Sequence, residues 1–420
     1  MTALDFRPLS DPVPQRHRVD PRSGLDVRDA GSEMGAHGVM VRRATRSDRP
    51  AIARFIKEAY GAGAKYKATP HWNWQFIDNP FGRHQGEQVP VWIAVDRDRV
   101  VGQIAVQNAL LLVEGETFEV GWAVDIMILR SHRRANIGHR LHEAVASDVD
   151  ILMSLSMAEA SRRMAERHGC VTLPDVHQLT RWVRLDAVGV RRYLLMRTAR
   201  HRWAHAAVRL FCSVFQLHRV FPRLVNPLLR LRDLVKRSPL EPGVTRIVEV
   251  DRFGPAIDEL WERTRGDYPA IFPRDARFLN WRFVDCPEPR YRCFVAERGG
   301  RAVGYVALRR AEPVELPQGI IADLYASRQD LQTVDELVRH SLAFFGDSVS
   351  AVDCGTSVAE FEAVLRTHGF FRTGSHHPTC ICRDRALRDR LEQLRDCWFF
   401  SKADHDWDQI YIADPSALAE

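Results

Sequence analysis

The stretch Asn73-Trp74-Gln75-Phe76-Ile77-Asp78-Asn79-Pro80 returns later as Asn280-Trp281-Arg282-Phe283-Val284-Asp285-Cys286-Pro287. Further matches follow in the same order. Trp92-Ile93-Ala94-Val95 with Val101-Gly102 answers to Phe294-Val295-Ala296-Glu297 with Val303-Gly304, and Arg167-His168-Gly169 answers to Thr367-His368-Gly369. A nearly constant separation of about 200 residues is a whole duplicated domain, far longer than a solenoid unit.

Working outward, the 420 residues suffice for two or three domains with their own cores. Hydrophobic residues make up 45% and charged ones 27%, so the chain is globular overall. The net charge of +6 is unevenly spread: twelve Arg or Lys and one acid, Asp233, lie between Arg191 and Arg237. The eight cysteines show no disulfide framework and suit a reducing compartment. Cys380-Ile381-Cys382 reads as a strand, and no metal is expected there. No signal-peptide pattern and no apolar run of about 20 residues is present, so a cytoplasmic location is expected.

The expected domains are a disordered tail (1–40), a first copy (41–186), a basic amphipathic connector (187–243), a second copy (244–385) and a C-terminal segment (386–420). The first copy reads as a helix (48–60), a hairpin (91–96 and 100–107), a long strand (117–129) with a bulge near Gly121, a helix (136–149), a strand (151–156) and a helix (158–168). The second copy repeats that order and closes on a strand over 379–383. In the C-terminal segment, Asp404-His405-Asp406-Trp407-Asp408 lacks the glycine and distal Glu of a calcium loop and reads as a solvated surface loop.

The apolar strand Val124–Leu129 runs through Arg130-Ser131-His132-Arg133-Arg134-Ala135-Asn136-Ile137-Gly138 into an amphipathic helix led by His139. A strand that turns tightly into a helix leaves free N–H groups and the positive end of the helix dipole at one point, a nest for pyrophosphate. Gly138 permits close approach, and Asn136 tolerates a left-handed backbone. In the second copy the matching stretch, Ala326 to Asp335, has no glycine and carries Asp330 and Asp335.

With these residues the chain resembles the GNAT superfamily of acyl-CoA N-acyltransferases. Arg133 and Gly138 match that family's loop, and Asn136 stands where its middle glycine is usual. The order of elements in both copies fits as well. The resemblance implies an α/β (α+β) fold of two GNAT-like mixed-sheet domains joined by a basic helical connector, the second copy being degenerate. It implies acetyl-CoA as donor, with Ile126, Met127, Ile128, Arg133, Arg134, Ala135, Asn136, Ile137, Gly138 and His139 as the CoA-binding residues. The reaction implied is attack of a primary amine on the thioester, with backbone donors near the splay of Val124–Leu129 and Ile151–Ser156 stabilising the oxyanion.

Glu119 and Asp125 are the candidate bases. Ala165 replaces the family's usual Tyr acid, which leaves His132 or His139 for that role. Trp72, Trp74, Asn79 and Trp122 are candidate acceptor-binding residues, and the aromatic segment resembles that of GNAT proteins of polysaccharide or envelope synthesis, so an amino sugar or envelope precursor is the expected acceptor. Core packing is the competing reading for these aromatics. Two other functions stay open: an aminoacyl transferase of the peptidoglycan cross-bridge type, and a non-catalytic CoA- or sugar-binding protein.

In the connector, Trp203, Ala207, Leu210, Val214, Leu217 and Phe221 form one helical stripe flanked by Arg202, Arg209, Arg219 and Arg223, before Pro222 and Pro227 break the helix. The stripe either packs between the two domains or brings residues 190–240 to the inner face of a membrane. Nucleic acid is not an expected partner, since the charge is confined to one connector.

Overall fold

The computed structural model describes residues 38–61, 70–82, 86–133, 136–155, 170–198, 201–235, 245–311, 316–394 and 397–409. Strand pairing divides them between two mixed sheets, an α/β fold. Among the described residues sixteen strands contribute. Those preceding the connector are β1 (Val39–Thr45), β2 (Gln88–Asp96), β3 (Arg99–Val113), β4 (Glu116–Ile128), β5 (Ile151–Ser154), β6 (Val171–Thr172) and β7 (Val176–Trp182). Those after it are β8 (Arg246–Val250), β9 (Ala270–Ile271), β10 (Arg292–Arg298), β11 (Arg301–Ala311), β12 (Gln318–Ala326), β13 (Ala351–Thr356), β14 (Phe371–His376), β15 (Thr379–Cys382) and β16 (Trp398–Phe399).

The first sheet has the order β1-β2-β3-β4-β5-β15-β6, with β9 on β3 and β16 on β9; the second has β14-β7-β13-β12-β11-β10-β8. The first half therefore lends β7 to the second sheet, and the second half lends β9, β15 and β16 to the first. β7 lies between β13 and β14, and β15 lies between β5 and β6. The ranges 41–186 and 244–385 divide the chain but not the sheets, because each sheet is completed by a strand from beyond its range. Cys380 and Cys382 sit on a strand as expected, but in the first sheet.

Helices cover the sheets through apolar residues at helical spacing. α1 (Arg49–Tyr60) buries Ile52, Phe55 and Ile56, while α2 (His71–Phe76) carries Trp72, Trp74 and Phe76 inward. α3 (Ile137–Asp148) buries Ile137, Leu141 and Val145. The connector forms α4 (Ala187–Thr198), α5 (Arg202–Val214) and α6 (Leu217–Val235), followed by α7 (Pro255–Thr264). α8 (Leu331–Phe345) repeats the placement of α3, burying Val334, Leu337, Val338 and Phe345. α9 (Ala359–Thr367) and α10 (Arg385–Gln393) follow.

Two local expectations change. The connector helix stops at Gln216, whose φ of 49° turns the chain, while Pro222 and Pro227 lie inside α6 without ending it. The bulge of β4 is not at Gly121, which pairs with Asn108 and packs tightly on Val106. It is at Asp125: Gln103 faces Met127 and Ala105 faces Val124, so β4 carries one extra residue, and Asp125 adopts φ 55°. β12 has the same feature, with its register against β11 slipping between Asp323 and Ile321.

The repeated segments meet. Trp74 and Trp281 stack with centroids 4.8 Å apart, and each indole N–H donates to the other's backbone carbonyl, at 2.7 and 3.0 Å. This reciprocal contact between equivalent residues is what a local two-fold relation between two copies produces.

Candidate active site

β4 and β5 run parallel and pair only where Val120–Trp122 meets Ile151–Met153. β5 ends at Ser154 and is held on its far edge by β15. β4 continues to Ile128 with no described strand on that side, so a cleft opens from Ala123 onward. Its mouth is the expected splay. The sheet order also fixes what stands at each end of it.

Beyond Ile128 the chain turns through Arg130–His132 and enters α3 at Asn136, whose φ of 54° and ψ of 19° are the left-handed conformation expected of it. The Asn136 side chain makes no capping hydrogen bond, and none to this helix start is seen among the described residues. Its first-turn amides therefore face outward with the dipole behind them. A Cβ on Gly138 would meet Ile128 Cδ1 at 3.2 Å, so the glycine lets the first turn of α3 sit close against the end of β4. Arg133 is exposed and donates to the Ile128 carbonyl at 3.3 Å; His139 lies 3.1 Å from Glu143 one turn on. Ile126, Met127 and Ile128 form the strand edge beside the cleft. Arg134, Ala135 and Ala165 lie outside the described residues, as does the helix expected over 158–168.

The candidate acid and bases are scattered. Asp125 sits on the bulge at the cleft. Glu119 lies six residues back, about 20 Å along a regular strand, where it lines a small surface pocket with Arg43, Trp92, Asn108 and Asp148. His132 bonds Asp96 at 3.2 Å and Ser131 at 2.8 Å. Asp96 ends β2, so His132 is tied to the side of β4 away from β5.

The four expected acceptor-binding residues are structural. Trp74 is spent on Trp281. Trp72 packs on Phe76 beneath Arg49. Asn79 donates to the Asn108 carbonyl at 2.9 Å and accepts from the Phe81 amide at 2.9 Å. Trp122 is fully buried. All four are buried, and their side chains join the repeated segments or fill the first core, although Trp74 also lines a surface pocket with Trp281, Arg252 and Arg277.

What the sequence reading missed is the C-terminal segment. Ser401–Gln409 is buried rather than solvated. His405 sets its ring edge-on to Trp122, centroids 5.1 Å apart, at the last paired residue of β4. Its Nδ1 is 2.5 Å from Asp406 Oδ1. His405 Nε2 and Trp122 Nε1 are both buried with no hydrogen-bond partner among the described residues. Buried polar atoms are rarely left so, and a water or a polar group would satisfy either of these. The alternating acids concealed this, since the arginines that neutralise them lie about 100 residues or more away in the chain.

The second sheet has the same cleft with different contents. β12 and β13 pair over Gln318–Ile321 and Ala351–Cys354 and then part. Here the gap is filled by the chain itself. Thr356 bridges Ser401, and Gly355 makes room for Trp407, whose ring would lie 2.6 Å from a Cβ there. Arg274 holds Asp323 at 2.9 Å and Asp404 at 2.8 Å, all three essentially inaccessible. Arg282 and Arg309 bind Asp408, which also accepts from the Tyr291 hydroxyl at 2.6 Å. Burial pushes the Asp404 carboxyl up to about 6 against the pull of Arg274. Burial pushes His376 down to about 4, helped by Lys402 and His405.

The start of α8 is closed too. Asp330 accepts from the Thr333 amide at 3.1 Å and its hydroxyl at 2.8 Å, and Arg298 lies 3.1 Å from the same carboxylate. Asp335 is buried between His368 and Arg339, at 2.8 and 2.7 Å. Among the described residues no group of His, Cys, Asp or Glu is arranged to hold a metal ion.

Residues 40–171 match the family model described as acetyltransferase (GNAT) domain. No curated protein matches the chain in sequence. Among solved structures, a probable N-acyltransferase of Enterococcus faecalis V583 superposes with a TM-score of 0.52 at 8% identity, over 81% of this chain and 71% of that one. A GCN5-related N-acetyltransferase of Anabaena variabilis gives 0.51 at 9% identity, over 81% and 72%. The N-myristoyltransferase of Saccharomyces cerevisiae with bound myristoyl-CoA gives 0.50 at 10% identity, over 84% and 85%. At such identities these likenesses speak for the fold alone. Residues 40–171 thus resemble a GNAT acetyltransferase domain, and the two-sheet frame around them is folded like the GNAT N-acyltransferases of these structures.

Proposed function

We propose that the chain is an N-acyltransferase that moves an acyl group, acetyl in the simplest case, from CoA to a primary amine. The observation that carries this reading is the uncapped, arginine-flanked N-terminus of α3 at the end of a strand that parts from its parallel neighbour. The residues fit the donor. First-turn amides of α3 with Arg133 and His139 would hold the pyrophosphate, and the free edge at Ile126–Ile128 would receive the pantetheine arm. CoA supplies the activated thioester. The irregular backbone at Asp125 supports an oxyanion site, since a bulge frees amides from the ladder.

The acceptor ammonium must lose a proton before it attacks. His405 is the group we assign to this step. Its Nε2 has no hydrogen-bond partner among the described residues, the Asp406 carboxylate lies close to Nδ1 without a hydrogen bond of good geometry, and the ring packs edge-on to Trp122 beside the cleft. Asp125 is the alternative. Glu119 and His132 lie too far from the splay. The second sheet, a degenerate copy on this reading, serves as scaffold and positions the C-terminal segment. The acceptor class is an amine. An amino sugar remains one acceptor to be screened, its expected binding residues being buried in this structure.

The test is chromatographic detection of free CoA from acetyl-CoA with amino sugars, polyamines and amino acids as acceptors. Amine-dependent release is expected, with kcat of His405→Gln down about 100-fold. CoA binding without release by any amine would instead make the chain a CoA-binding protein. A His405→Gln enzyme with unchanged kcat, beside an Asp125→Asn enzyme that loses it, would move the base to Asp125.

A further inference from the structure

The connector does not pack its apolar stripe between the two sheets. On α6, Leu217, Val220, Phe221, Leu224, Leu228 and Leu231 are 41–65% exposed. They recur at three- and four-residue steps and form one face. The opposite face holds the helix to the body: Pro222 is buried, Asn226 exchanges two hydrogen bonds of 2.9 Å with the backbone of Leu185, and Arg232 donates to the Trp182 carbonyl at 2.9 Å. The usual arrangement is inverted, with polar groups facing the protein and leucines facing out. α5 continues the surface with Trp203, 80% exposed, and with Leu210, Phe211 and Val214. Phe215 stacks beside Phe211 at the turn, 5.5 Å away.

An apolar face of this extent is far larger than a monomeric surface normally leaves open. Its charge selects what covers it. Arg209, Arg219, Arg223 and Arg230 are exposed along its edges, and none has a carboxylate partner among the described residues. A second copy of this chain meeting the face about a two-fold axis would set arginine rows against one another. An anionic bilayer surface offers acyl chains to the leucines and aromatics and phosphates to the arginines. No described helix is long and apolar enough to cross a membrane, so the face would lie in the interface.

We propose that α5 and α6 form a docking surface for anionic lipid bilayers. This inference is independent of the acyltransfer reading. The experiment is co-sedimentation of the full-length protein with phosphatidylcholine vesicles and with equal mixtures of phosphatidylcholine and phosphatidylserine, beside gel filtration with light scattering in the absence of lipid. The protein is expected to sediment with the mixed vesicles and to be released by salt. Leu224→Glu with Leu228→Glu should lower partitioning at least about tenfold while circular dichroism stays unchanged. Arg219→Gln with Arg223→Gln should remove the preference for anionic vesicles. No sedimentation, or equal sedimentation with neutral vesicles, would overturn the proposal. So would a lipid-free dimer that Leu224→Glu converts to monomer, because the face would then belong to a second copy.

Discussion

Two clefts with the same strand order have opposite contents. In the first sheet β4 leaves β5 after Trp122, and α3 starts without a side-chain cap among exposed basic residues. In the second, β12 leaves β13 after Ile321, the gap holds Ser401–Gln409, and Asp330 caps α8. The topology alone therefore does not make a donor site. On the proposed reading, what makes one is leaving the helix amides and the strand edge unmet among the described residues. The second copy meets both, with a carboxylate at the helix and a buried ionic network in the gap. That filling also carries His405 to the first cleft, which gives the closed copy a part in the open one.

The comparison can be broken at the filling. Arg282→Ala would leave Asp408 buried with only Arg309 and Tyr291, at a cost of about 3–5 kcal/mol, typical of stripping one partner from a buried pair. A large fall in melting temperature is expected, whereas Arg133→Ala, at the open cleft, should leave it unchanged. Equal effects would mean that the network does not hold the segment in place.

A smaller effect should appear in pH. His376 has a pKa of about 4 in the fold against an ordinary value near 6.5, so the unfolded chain protonates first. The stability tied to its neutral ring is complete above about pH 6.5 and is lost as pH falls towards 4. Asp404, raised to about 6, acts in the opposite sense: it favours the fold at low pH, and that contribution disappears as pH rises through 6. Comparing His376→Gln with wild type separates the two. Between pH 7 and 5 the variant should lose less stability in denaturant titrations, by about 1–2 kcal/mol. Parallel pH curves would remove His376 from the account.

The smallest effect concerns the cap. Asp330→Ala should cost about 1 kcal/mol of stability, the usual price of a lost N-cap. Chemical denaturation will show it. The same variant should leave CoA affinity untouched.

Much of this was legible in the sequence. The repeat announced two like halves, helical and strand periodicity placed most elements, and Asn136 with Gly138 announced the turn into α3. The strand exchange was not legible, because β7 and β15 look alike as short strands and nothing local says which sheet takes them. The acids of residues 404–408 read as solvent-facing because their partners Arg274, Arg282 and Arg309 are distant in the chain. Trp74 and Asn79 stayed open between core packing and ligand binding because a repeated aromatic segment looks the same whether it binds a sugar or its own duplicate. Exposure of the leucines on α6 was hidden as well, since periodicity defines a face without saying what it faces.

The most direct test of the contrast between the clefts is calorimetric titration of acetyl-CoA into wild type, Gly138→Glu and Asp330→Ala. One site per chain is expected in wild type and in Asp330→Ala, and none in Gly138→Glu, where a bulky anion would stand among the α3 amides. Two sites in wild type, or binding that survives Gly138→Glu, would contradict the assignment of the donor site to the first cleft alone.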